Sequence, residues 1–152
     1  MDELEQKELA ETIHRMNTGF ARAMDFTFVE ATEDAVAIEF TVAEQHLQPY
    51  GIVHGGVHAG VIETVCSIGA GIAARLRGHT GGVVGLENHT SFIRAVTPGT
   101  KLRGRAVPVT RGRTTHVWKA EVTDPQGRIV AHGTVRLLVV TPQQLGVKAT
   151  QG

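Results

Sequence analysis

Glu63 is the residue whose type and place most invite chemistry. It interrupts an apolar segment that runs almost to Arg75, and it follows by nine residues the histidine of Tyr50-Gly51-Ile52-Val53-His54-Gly55-Gly56-Val57. A carboxylate is harder to bury there than an apolar side chain, so its presence calls for a reason. The glycine pair ahead of it is the second element. Two glycines at the mouth of a helix leave backbone N–H groups bare and add the positive end of the helix dipole. That is a grip for an anion or for a carbonyl oxygen gaining negative charge. A carboxylate that activates water or attacks directly, combined with such donors, is equipment for acyl transfer.

The helix that carries both is expected from about Gly55 to Arg77, with Gly78 as its stop. Val57, Val61, Val65, Ile68, Ile72 and Leu76 recur at steps of three or four and form its heavy apolar stripe. Around Glu63 the wheel carries only small residues: Ala59, Gly60, Cys66, Ser67 and Ala70. They leave space beside the carboxylate for a substrate or another chain. Glycines at 55, 56, 60, 69 and 71 weaken the helix by roughly 1 kcal/mol each where they lie inside it, so tertiary packing must hold it.

A sheet supplies that packing. Residues 35–42 alternate in the manner of a half-buried strand, with Val36, Ile38, Phe40 and Val42 on one face. Four more strands are expected at 82–95, 101–110, 114–123 and 128–140, joined by short turns such as Asp124-Pro125-Gln126-Gly127, and so antiparallel as a meander. Residues 2–17 form an amphipathic helix, Phe20 to Phe28 is ambiguous, and the last ~12 residues look like a loose tail. The expected whole is a single α+β domain over 1–152, with one antiparallel sheet wrapped around one long central helix.

The bulk numbers narrow the function. Fifteen basic and fifteen acidic side chains leave no net charge, which argues against a nucleic-acid binder. Cys66 is the only cysteine, so no intrachain disulfide forms. The eight histidines are scattered without an HxH or HExxH arrangement, so no metal site is expected. The acidic N-terminus is no targeting peptide, and no apolar run approaches the ~20 residues of a membrane span. A cytoplasmic protein without membrane contact is the expectation. There is no G-x-S-x-G elbow for a serine hydrolase, and Cys66 lacks a partner that would make it a nucleophile.

Over roughly residues 35–140 the chain resembles the hotdog-fold thioesterases. It is nearest the branch with the phenylacetic-acid-pathway thioesterases and one type of 4-hydroxybenzoyl-CoA thioesterase. The resemblance rests on Val53-His54-Gly55-Gly56 followed by Glu63, on Asn88-His89-Thr90-Ser91-Phe92-Ile93-Arg94, and on the closing run from Ala120 to Ala131. It implies hydrolysis of an acyl-CoA thioester, with coenzyme A as part of the substrate and no separate cofactor. Glu63 takes the place of the family's acid and Gly55 that of the amide polarising the carbonyl. Gln48 matches an assisting amide and Ser67 a hydroxyl one turn after the acid, while His54 orients the glycine loop. Gly56, Arg94, Arg111 and Arg113 are the candidate contacts for substrate and coenzyme A. The resemblance also implies a homo-oligomer, a dimer or a dimer of such dimers.

Helix geometry bears on that assembly. Glu63 stands eight residues, or ~12 Å, beyond Gly55 along the helix. One small thioester does not bridge that span, so a site shared between two subunits is expected. Two other functions remain open at this point: a hotdog module that binds acyl-CoA without cleaving it, and a hotdog dehydratase or hydratase.

Overall fold

The computed structural model describes residues 2–146. Helix α1 (Glu3–Arg15) opens on a reciprocal cap: Asp2 accepts the Glu5 amide and Glu5 accepts the Asp2 amide, each at 2.8 Å. A short α2 (Gly19–Ala23) precedes β1 (Thr27–Ala31), β2 (Val36–Thr41) and a single 3₁₀ turn (Glu44–His46). Then come the long α3 (Gly55–Leu76) and strands β3 (Gly82–Phe92), β4 (Lys101–Arg111), β5 (Thr115–Thr123) and β6 (Ile129–Val140). Of the expected tail, residues 141–146 fold into tight turns closed by Leu145 and Gly146 amides, and 147–152 lie outside the described residues.

The six strands form one antiparallel sheet in the order β1-β2-β4-β5-β6-β3. Two expectations need correction. The first concerns strand number, because β1 begins at the end of the stretch left ambiguous and runs beyond it to Ala31. A bulge between Phe28 and Glu30 breaks its alternation, and only five residues remain to show a period of two. The second concerns the meander, which holds only for β4, β5 and β6. β3 pairs with β6 through a ladder from Gly82↔Val140 to Phe92↔Ala131, and residues 93–100 carry the chain across to β4. That leaves the other side of β3 as a free sheet edge.

The sheet curls around α3 and closes a core of Ile38, Val61, Ile62, Val65, Leu102 and Trp118, each fully buried. This is the hotdog arrangement. Close approach explains two of the helical glycines. A Cβ at Gly69 would stand 2.5 Å from the Trp118 ring, and one at Gly60 would stand 2.5 Å from the Phe20 ring of α2. The apolar stripe drifts outward with the helix. Val57, Val61 and Val65 are buried, Ile68 and Ile72 half-buried, and Leu76 is 63% exposed. By length and composition α3, whose most apolar 18-residue window has mean hydropathy 1.5, could cross a membrane, contrary to the expectation that no apolar run reaches that size. Here 56% of that window is buried inside the fold, as befits the core helix.

Candidate active site

α3 begins at Gly55, and the residue before it makes the helix start. His54 is the N-cap with extended backbone, and its Nδ1 accepts the Gly56 N–H at 2.8 Å. Accepting at Nδ1 puts the proton of the neutral ring on Nε2. His46 braces the approach. It is fully buried, its Nδ1 accepts the Ala43 amide at 2.9 Å, and its carbonyl accepts the His54 N–H at 2.8 Å. So Gly56 spends its amide on His54, whereas Gly55, first in the helix, has no acceptor within it. The bare amide is that of Gly55.

Phe92, at the end of β3, packs against Gly55. Its ring lies 3.0 Å from where a Gly55 Cβ would stand. Gln48, Gly55, His58, Phe92 and Arg94 line a cavity of about 280 Å³, with apolar walls from the 52–53 and 93–95 segments. Gln48 turns its Oε1 back onto the Tyr50 N–H, leaving its Nε2 hydrogens as the donors it can offer.

Glu63 belongs to a different cluster. It is half-buried, its Oε2 accepts from Asn88 Nδ2 at 3.0 Å, and its Oε1 lies 3.4 Å from Ser67 Oγ. Asn88 also donates to the Ala59 carbonyl at 3.1 Å, and Thr90 Oγ1 donates to Asn88 Oδ1 at 2.6 Å. Thr90 therefore fixes which way the Asn88 amide faces, and Asn88 fixes the carboxylate. Gly85 leaves the room: a Cβ there would stand 2.2 Å from Glu63 Oε1. Among the described residues Glu63 forms no ion pair. One turn away Cys66 is buried, and burial followed by the Glu63 charge pushes its thiol far up, which keeps it protonated.

The expected residues thus fall into separate groups. Gln48, Gly55 and Arg94 share the cavity, with His54 and Gly56 forming the cap beside it. Glu63 and Ser67 lie two turns further along α3 against β3. Arg111 and Arg113 lie at the opposite end of the helix. Arg111 is tied to Asp34 at 2.9 Å and to the Glu33 carbonyl at 2.8 Å, while Arg113 is exposed on the β4–β5 turn. Among the described residues no group of three or more His, Cys, Asp or Glu side chains is placed to hold a metal. Sequence reasoning missed Asn88, Thr90 and Gly85 as site residues. Asn88 and Thr90 stood in the resembling Asn-His-Thr-Ser-Phe run, but only the pairing of β3 beside α3 shows what they touch.

The Thioesterase superfamily profile matches residues 50–131, the segment from the glycine loop through α3 and β3 into β6. The chain belongs to the thioesterase superfamily. It is 36% identical over 118 residues to Rv1847 of Mycobacterium tuberculosis, a protein named as an esterase, covering 78% of this chain and 84% of that one. The solved structure of that protein superposes with a TM-score of 0.76 at 35% identity, over 80% of this chain and 96% of that one. AziG of S. sahachiroi superposes with a TM-score of 0.76 at 37% identity, covering 82% and 98%. A Haemophilus influenzae thioesterase, HI1161, reaches 0.79 at 22% identity over 94% of each chain, a likeness of fold. As a superfamily member the chain is a hydrolytic enzyme of the hotdog class.

Proposed function

We propose that the protein hydrolyses an acyl-CoA thioester to a free acid and coenzyme A at sites shared between two copies of the chain. The observation that carries this reading is the half-buried Glu63 carboxylate, held by Asn88 and Ser67 and paired with no cation among the described residues. The Gly55 N–H and the helix dipole behind it face the carbonyl oxygen as it gains charge. One such donor contributes about 3 kcal/mol to the transition state. Glu63 takes a proton from water as it attacks the carbonyl carbon, or attacks that carbon itself to give a mixed anhydride that water then opens. In either route the thiolate of coenzyme A leaves and is protonated.

Within one chain Gly55 and Glu63 are eight residues apart on one helix, ~12 Å along its axis. A second copy joins them. The free edge of β3 carries exposed Val84, Leu86 and Phe92, with Ile93 just beyond, and unpaired backbone groups along such an edge are a template for another strand. A dimer through this edge sets the Gln48–Gly55 half of one copy beside the Glu63–Ser67 half of the other. Two such dimers make the tetramer expected of the resemblance. Arg94, exposed at the cavity rim, is the arginine placed to meet coenzyme A; Arg111 is already engaged and Arg113 is remote from the cavity.

The test is thiol release from a panel of aromatic, short-chain and long-chain acyl-CoAs. Turnover of at least one class is expected. Binding without thiol release would favour a ligand-binding module, and hydration of an enoyl-CoA without release would favour a hydratase.

A further inference from the structure

One buried group has no part in the hydrolysis described above. His58 lies one turn after Gly55 on α3 and is 3% exposed, and its Nδ1 has no hydrogen-bond partner. A neutral imidazole carries one N–H and one lone pair. A dry, unpaired ring nitrogen is unfavourable at a position where an apolar side chain of similar size would pack without that penalty. Burial pushes the His58 pKa down to about 4, so the ring is uncharged near neutral pH. The ring also faces a space: it lines the same cavity as Gly55, with the Phe92 ring 6.4 Å away centroid to centroid.

We propose that His58 is a specificity-determining residue of this pocket, whose ring hydrogen-bonds a hydroxyl carried by the acyl group close to its thioester carbonyl. The proposal rests on the thioesterase reading of Gly55. Three residues along the helix bring His58 to the same face as Gly55 and ~4.5 Å further along the axis. That matches a hydroxyl on the second or third carbon of the acyl group. A hydroxyl both donates and accepts, so it suits a neutral ring in either tautomer. A plain alkyl group would leave the ring without a hydrogen-bond partner, and sites built to hydrogen-bond a substrate hydroxyl reject the analogue lacking it.

The experiment compares kcat/KM for two pairs that each share a skeleton: 3-hydroxybutanoyl-CoA against butanoyl-CoA, and 2-hydroxybenzoyl-CoA against benzoyl-CoA. Wild type is expected to favour the hydroxylated member of at least one pair by about tenfold or more. His58→Leu brings that ratio close to one, while His58→Asn, which keeps a donor and an acceptor, retains part of it. Circular dichroism establishes that each variant folds, and if His58→Leu does not, the wild-type ratio and the Asn variant decide. Equal turnover within both pairs, or a ratio that neither variant changes, overturns the role of His58 and leaves the thioesterase reading standing. Failure to hydrolyse either pair overturns the assignment, and failure with every acyl-CoA overturns the thioesterase reading as well.

Discussion

The Asn88 amide holds the Glu63 carboxylate at 3.0 Å while Thr90 anchors the other end of that amide at 2.6 Å. Asn88 and Thr90 are two apart on β3 and point the same way, so the strand delivers both to the flank of α3. Asn88→Ala is expected to reduce kcat about 10- to 100-fold, the worth of a hydrogen bond to a charged group, with KM little changed. Asn88→Asp sets two carboxylates against each other and costs more, and Thr90→Val costs less. Steady-state kinetics on one accepted acyl-CoA checks the order.

Gly69 tests how the helix is held. Alanine there improves helix propensity by about 1 kcal/mol. Its Cβ, however, would lie 2.5 Å from the buried Trp118 ring, and overpacking a core costs typically 1–3 kcal/mol. The clash wins, and Gly69→Ala is expected to be destabilised by roughly 1–2 kcal/mol. Urea unfolding followed by the fluorescence of Trp118, the single tryptophan, measures it. A more stable variant would mean that the ring moves aside freely.

Acid should weaken the fold in two stages. The folded His58 pKa of about 4 lies below the ordinary 6.5, so between these values the unfolded chain binds more protons than the folded one. Stability therefore falls as pH drops from about 6.5 to 4, by on the order of 3 kcal/mol from this group. Buried His116, also lowered, adds to the same stage. Glu30 and Glu39 are held low by Arg105 and Lys101, so the stability they contribute above their unfolded pKa of 4.5 is lost as pH falls below it. Urea midpoints at pH 7 and 5 should differ in wild type and differ less in His58→Leu.

Sharing of the site between chains is tested by mixing two damaged proteins. Glu63→Ala chains keep Gln48 and Gly55, and Gln48→Ala chains keep Glu63. In a symmetric dimer each mixed pair regains one intact site, so an equal, freely exchanging mixture should recover about a quarter of wild-type activity. A site built within one chain would show no such recovery.

What could be read from the amino acids follows locality. His54-Gly55-Gly56 marks the start of α3 because cap and glycines act within three residues. Asp124-Pro125-Gln126-Gly127 marks its turn because Asp124 accepts the Gln126 and Arg128 amides at 3.0 and 2.9 Å. β1 stayed hidden because a bulge scrambles a five-residue pattern, and the place of β3 beside β6 depends on partners 39 to 58 residues away. Asn88 was visible as part of a familiar run, but its duty toward Glu63 exists only once β3 lies along α3. Nothing local to His58 shows that it lines a cavity.

The most direct test of the account is Glu63→Gln. This change keeps size and the capacity to accept from Asn88 while removing the charge, the base and the nucleophile. The account predicts a variant with wild-type fold and oligomeric mass that releases thiol from acyl-CoA at least about 100-fold more slowly. Near-normal turnover by Glu63→Gln would contradict it.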